Sequence, residues 1–293
     1  MLRFLIISVM VVVLNAKECQ VPDLLASMLK IEAIKDYKHN RDIYRNLKDI
    51  KSLCIKQISF KESKYRWKML LVWNPHHSKG AFWYLPHDDE NTAFDSAVYA
   101  TQKYGGGFLA LLNSDQRIFK GQDPNRNFGT TSSASRICSS QKYPAPIYVK
   151  TIFSIIDSFR DRRYPYLTLH TNSNGHSGNG GAGHISMLKK SSTVLSFPAS
   201  TIKRGKRLGL SDEDSLIYIA TKNKKPNMDR VKRFNDLGIN VKYELVNPSR
   251  NDCSMSNYVV LGLGSEEYIN IEVEHGDKDT QKVMIDKVLS IYQ

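Results

Sequence analysis

The segment Ala81-Phe82-Trp83-Tyr84-Leu85-Pro86-His87-Asp88-Asp89-Glu90 decides how the rest of the chain is read. Five apolar and aromatic residues in succession predict a buried strand, and the proline stops it. A histidine and a carboxylate then follow three residues apart, so the strand end delivers two side chains able to bind a metal. An H-x-x-E spacing is common by chance, and its meaning depends on what the remaining chain supplies.

Working outward from this segment, strands are predicted over 69–73, 108–112, 166–169, 216–220, 239–245 and 268–273, and helices over 92–104, 147–159, 228–237 and 280–292. The first helix is ended by Gly105-Gly106-Gly107 and the 228–237 helix by Gly238. The alternation predicts an α/β fold with a mostly parallel, twisted mixed sheet and helices on both faces. Residues 21–60 are lysine-rich, with Leu24, Leu25, Met28, Ile31 and Ile34, then Ile43, Leu47, Ile50 and Leu53, at helical spacing. They predict two helices forming a small N-terminal helical appendage. The stretch 172–183, rich in Gly, Asn and Ser, reads as a surface loop in which His176, and beside it His184, face solvent.

Residues 1–16 carry one cation, Arg3, an apolar run over 4–14 and a small residue, Ala16, the layout of a secretory signal peptide. The run is too short to span a bilayer, so no stable membrane span is expected once it is removed. A secreted or periplasmic location follows, and it allows Cys19, Cys54, Cys138 and Cys253 to form two disulfides, in any of three pairings. The formal net charge is +13. The lysines are spread along the chain without an RRM, zinc-finger or helix-turn-helix pattern, which predicts a solvated basic surface and no nucleic-acid partner. The sequence leaves the oligomeric state open.

Three further stretches carry chemistry. In Leu167-Thr168-Leu169-His170-Thr171-Asn172 an apolar strand ends in a histidine, where open α/β sheets bind ligands. His170 and His87 therefore can converge, and two His with one Glu, leaving a fourth position to water, make a catalytic zinc set. In Asp123-Pro124-Asn125-Arg126-Asn127-Phe128 an arginine fork suited to a carboxylate stands beside an amide. In Tyr268-Ile269-Asn270-Ile271-Glu272-Val273-Glu274, strand alternation puts Asn270, Glu272 and Glu274 on one face. A solvated edge strand or a general-base carboxylate explains that load equally well.

The order of these elements, H-x-x-E, then D-x-N-R-N-aromatic, then an apolar strand ending in His, then a strand-borne Glu before a final helix, resembles the zinc carboxypeptidases related to carboxypeptidase A. Their deacylase relatives, the succinylglutamate desuccinylases and aspartoacylases, share it. The likeness covers residues 69–293. It implies Zn2+ held by His87, Glu90 and His170, a substrate carboxylate held by Asn125 and Arg126, and Glu272 as general base and acid, with Glu274 as the second choice. Arg117 is the nearest candidate for the oxyanion-stabilising arginine, although larger family members place theirs well before the Asn-Arg pair. Tyr258 would be the substrate-capping tyrosine. The chain then divides into a signal peptide (1–16), an N-terminal helical segment (17–66) and a zinc carboxypeptidase-like catalytic domain (67–293). The implied activity is hydrolysis of an amide bond next to a free carboxylate by a secreted zinc metallocarboxypeptidase, and export with basic charge points to peptidoglycan stem peptides as substrate. The alternatives are a zinc-dependent deacylase or amidase of N-acyl amino acids, and a non-catalytic polymer-binding module on the same fold.

Overall fold

The apolar run Phe82–Leu85 is a strand with all four residues buried, and one sheet is arranged around it. The computed structural model describes residues 19–34, 40–129, 141–175, 178, 184–189 and 191–293. The segment read as a signal peptide, His176 and Cys138 lie outside these residues. The strands are β1 (Lys30–Glu32), β2 (Cys54–Glu62), β3 (Tyr65–Trp73), β4 (Phe82–Leu85), β5 (Gly107–Leu111), β6 (Tyr166–Asn172), β7 (Val194–Phe197), β8 (Leu216–Thr221), β9 (Val241–Leu245) and β10 (Tyr268–Glu274). The helices are α1 (Asp23–Met28), α2 (Arg41–Arg45), α3 (Leu47–Ile50), α4 (Asn91–Tyr104), α5 (Pro146–Phe159), α6 (Met228–Asn235), α7 (Met255–Leu261) and α8 (Lys278–Leu289).

The ten strands lie in the order β1-β2-β3-β5-β4-β6-β10-β8-β9-β7. The fold is α/β with a mixed sheet, and the expected predominance of parallel pairing is corrected. Neighbours β5, β4, β6 and β10 run parallel, as do β8 and β9. The other pairings, β1 with β2, β2 with β3, β3 with β5, β10 with β8 and β9 with β7, are antiparallel. The parallel centre needs crossovers, which the helices supply, whereas hairpins extend the sheet at its flank.

The N-terminal helical segment is corrected as well. Among the described residues there, α1, α2 and α3 are helical, while β1 and β2 join the main sheet, β2 pairing along its length with β3. A disulfide between Cys19 and Cys54 ties the start of the described chain to the start of β2. Among the described residues, no helix is long and apolar enough to cross a membrane.

The two sheet faces carry separate cores. One packs Ala93, Phe94 and Ala97 of α4, Val231 and Phe234 of α6, and Met284, Ile285 and Val288 of α8 against the sheet. The other packs Ile152, Ile155 and Ile156 of α5 and Met255 and Val259 of α7 against it. Each such fully buried side chain contributes about 1.5–3 kcal/mol. Alternation sets which residues face which core. Leu167 and Leu169 of β6 and Ile269, Ile271 and Val273 of β10 enter the first core, whereas Tyr166 and Tyr268 enter the second. His170, Asn270, Glu272 and Glu274 therefore project on the α5/α7 side.

Glycine closes α4 as expected. Gly105 and Gly106 have φ of 73° and 69°, and a Cβ on Gly106 would lie 2.0 Å from the Ala81 carbonyl oxygen. Only glycine lets the chain pass that close to the start of β4.

Candidate metal centre

Leu85 ends β4, and the chain after Pro86 turns sharply enough for the His87 carbonyl to accept from the Glu90 amide. The Glu90 carbonyl in turn accepts from the amides of Ala93 and Phe94, so Glu90 starts α4 with its backbone while its side chain turns back toward His87. In β6, His170 sits on the same side. His87 Nδ1 lies 2.8 Å from Glu90 Oε1 and 3.2 Å from His170 Nδ1, and His170 Nδ1 lies 3.2 Å from Glu90 Oε2. All three side chains are buried, and one ligand atom from each falls within 4.8 Å of the others.

Three electron-pair donors aimed at one point, away from water, form a donor set that a divalent cation satisfies. The surroundings fit this. His87 Nε2 lies 2.9 Å from Asp123 Oδ1, a carboxylate that fixes the ring with Nε2 protonated and leaves the Nδ1 lone pair directed at the cluster. The Thr171 amide donates to Glu90 Oε2 at 3.0 Å, Arg117 Nη1 donates to Glu90 Oε1 at 2.6 Å, and Gln281 of α8 donates to the His170 carbonyl at 2.9 Å. Each candidate ligand is thus held by a second contact from a different element.

The electrostatics follow from burial among these charges. Burial opposes ionisation of Glu90, yet His170 and His87 outweigh it and hold its carboxyl well below the ordinary range. Asp123 behaves likewise: burial raises it, and His87, Arg126 and Arg117 bring it far down. Glu272 is the exception. Burial pushes its carboxyl up, and Glu90 adds to the rise against the pull of His170. Of Glu90, Asp123 and Glu272, the half-buried Glu272 is thus the carboxylate most ready to take a proton.

Register places Glu272 directly. In the parallel pair of β10 and β6 it stands opposite His170, and Asn270 Nδ2 donates to its Oε1 at 2.9 Å. Glu274 stands one inward position further along, opposite Asn172, where its Oε2 accepts from the Arg207 amide. The two acids that the sequence leaves open are separated by their partners: Glu272 borders the cluster and Glu274 braces a loop.

Asp123 also organises the next part. Its Oδ1 accepts from the Asn125 amide at 2.8 Å, capping the single 3-10 turn Pro124–Arg126 that carries Asn125 and Arg126. The Asn125 side-chain oxygen accepts from the Met255 amide at the start of α7, and the half-buried Arg126 guanidinium has Asp252 Oδ2 at 3.4 Å from its Nε. Arg117 lies against Glu90 with its Nε 3.9 Å from Asp123, so it enters the cluster itself. Tyr258 is not brought to the cluster. Its ring packs on Phe153 and Phe128, with centroids 4.8 and 6.4 Å away, as part of the aromatic core under α5. Asp123 and Gln281 have contacts that residue type alone does not announce. The first stands in the D-x-N-R stretch, which was its only signal, and the second has none before α8 is packed.

No family model matches the chain, and no curated protein does. Solved structures of similar shape include a candidate metallopeptidase from Shewanella amazonensis SB2B, 10% identical, with TM-score 0.47 over 90% of this chain and 97% of that one. A second candidate metallopeptidase, from Shewanella denitrificans OS217, is 10% identical with TM-score 0.45 over 90% of this chain and 94% of that one. Bovine thrombin-activatable fibrinolysis inhibitor, in complex with tick carboxypeptidase inhibitor, is 12% identical with TM-score 0.41 over 86% of this chain and 93% of that one.

Proposed function

We propose that this chain is a secreted zinc metallopeptidase that removes a C-terminal residue from a peptide, with peptidoglycan stem peptides as substrate. The convergence of His87, Glu90 and His170 within 4.8 Å, backed by Asp123, carries this reading. Two imidazoles and one carboxylate are the protein ligands of a catalytic rather than a structural zinc. Zinc held there supplies a bound water of near-neutral pKa and polarises a carbonyl. Glu272, its carboxyl raised by burial, would be the group beside His87, Glu90 and His170 that accepts a proton from the attacking nucleophile and delivers it to the departing amine. Asn125 and Arg126, fixed on their turn by Asp123, hold the free carboxylate beside the scissile amide, and Asp252 yields the Arg126 fork to the incoming anion. Arg117, whose Nη1 donates to Glu90 Oε1, is the residue we assign to stabilise the charge developing on the carbonyl oxygen.

Secretion is supported by the Cys19–Cys54 disulfide and by the layout of residues 1–16. The peptidoglycan substrate is supported by export and the formal charge of +13. Metal analysis of purified protein together with mass spectrometry of muropeptide digests tests the proposal. Stoichiometric zinc, removed by chelator along with loss of a terminal residue from stem peptides, is the expected result. A metal-free protein, or digests left intact by the zinc-loaded protein, overturns it.

A further inference from the structure

The turn between β2 and β3, the loop after β5 and the lead into α5 enclose an open cleft of about 600 Å³, apart from the metal centre. Ser63, Lys64, Tyr65, Lys120, Lys142 and Tyr143 line it. The lysines are exposed, and among the described residues none of the three has a carboxylate in ion-pair distance. The nearest acid along the chain, Glu62, is buried and spends its Oε2 on the Tyr148 amide at the start of α5. Ser63 and Lys120 have φ of 53° and 51°, so tight turns set out the cations at both rims.

The cleft also holds a neutral group. The Tyr143 hydroxyl oxygen is buried without a hydrogen-bond partner among the described residues, and burial pushes its pKa up to about 12, so it remains a hydroxyl. An unsatisfied buried hydroxyl is unfavourable unless a ligand or water completes it. The Tyr143 ring stacks on Tyr65 at 4.5 Å between centroids, Phe119 meets Tyr65 edge-on, and the Lys64 ammonium lies 5.5 Å from the Tyr65 centroid. The Tyr65 ring is wedged in place, which closes the slot that a nucleobase would need for stacking. Point charges around a roomy opening with one waiting hydroxyl suit a chain of hydroxylated, carboxylate-bearing units better than a single small anion.

The cleft is wired to the loop of the metal centre. Gln122, fully enclosed, accepts from the Lys142 amide at 2.8 Å and donates to the carbonyls of Asp123 and Arg126 at 3.3 and 3.1 Å. A polymer anchored at Lys142 is therefore held one residue from Asp123.

We propose that this cleft binds a segment of an acidic polysaccharide, with Lys64, Lys120 and Lys142 taking its carboxylates and Tyr143 one of its hydroxyls. The site does not depend on the metal or on turnover, so its test stands apart from that of the peptidase. Titration of the full chain with a short oligogalacturonate, at low and at physiological salt, reads it directly. Binding should weaken with salt. It should fall at least about tenfold in the Lys64→Ala/Lys120→Ala/Lys142→Ala variant, because three exposed charge contacts, each weak alone, are lost together. It should fall about threefold in Tyr143→Phe, which removes only the hydroxyl. No binding by the parent chain, or a triple variant that binds within twofold of it, overturns the proposal. So does tighter binding of an oligothymidylate, which would make the cleft a nucleic-acid site, or equal binding of a polyphosphate of matched charge with Tyr143→Phe unaffected, which would make it a charge patch. Should the triple variant fail to fold, Tyr143→Phe decides alone.

Discussion

Asp123 serves two masters with one oxygen. Its Oδ1 faces His87 Nε2 at 2.9 Å and accepts from the Asn125 amide at 2.8 Å, so the His87 ring of the candidate metal centre and the turn carrying Arg126 share one anchor. Asp123→Asn should lower metal affinity by about 10–100-fold, as loss of an outer carboxylate does elsewhere. Competition with a chelating dye measures it, and unchanged affinity would mean that His87 is oriented without Asp123. Glu272→Gln should lower turnover by about 10²–10⁴-fold while zinc content stays stoichiometric. A variant with full turnover would transfer the role to Glu274 or remove the scheme. The convergence of His87 and His170 was legible in the sequence because strand ends in an α/β fold project their last side chains to one place. Gln281 was not legible, since its bond to the His170 carbonyl exists only through the packing of α8 on the sheet.

At the level of elements, β9 buries a lysine. Lys242 is fully buried on the α5/α7 side, and its Nζ donates to the Lys189 carbonyl at 2.6 Å. Burial, with Lys189 adding to it, lowers its pKa from 10.5 to about 8. Between those two values the unfolded chain binds the proton that the folded chain has released, so stability rises with pH across that window. Below pH 8 both states hold the proton, and the penalty of the buried charge is constant. Chemical denaturation of parent and Lys242→Met across the window should show the difference between them shrinking as pH rises. A constant difference would place the charge in a solvated site. Elements of one clear pattern were readable: β4 is a continuous apolar run, and α4 lies between Glu90 and a glycine stop. Strand β2 was not, because Cys54-Ile55-Lys56-Gln57-Ile58-Ser59-Phe60 shows no strict alternation and its burial is irregular along the strand. The Ser63-Lys64 turn that makes it a hairpin lacks the Asn-Gly type of signal. Helix α7 escaped for a related reason. Its Ser256 and Asn257, which look like loop residues, are both bonded to Glu244 of β9.

For the whole molecule, a covalent restraint adds to the core. The Cys19–Cys54 bond closes a loop of sequence separation 35 and fastens α1, whose Leu25 enters the α5/α7 core, to the sheet. Removing it in Cys19→Ser/Cys54→Ser should lower stability by about 3–4 kcal/mol, read as a shifted denaturant midpoint. A shift under about 1 kcal/mol would show that the packing of α1 suffices without the bond. Zinc bound at His87, Glu90 and His170, as proposed, would act in the same sense, since these residues come together only in the folded chain. At a free concentration about a hundredfold above its dissociation constant it should add about 2.7 kcal/mol, visible as a rise in melting temperature that chelator reverses. No rise on adding zinc would argue against a metal at His87, Glu90 and His170.

The position of β10 has a consequence for biosynthesis. It is the last strand in the chain, yet it lies between β6 and β8, with the β1–β6 half of the sheet on one side and β7 to β9 on the other. A nascent chain that has not yet extruded residues 268–274 therefore carries two half-sheets with bare inner edges, the kind of surface that pairs with other chains. His170 waits through that interval without Glu272 beside it. Quality control should be harshest on this protein at that moment, before the seam at β10 has closed.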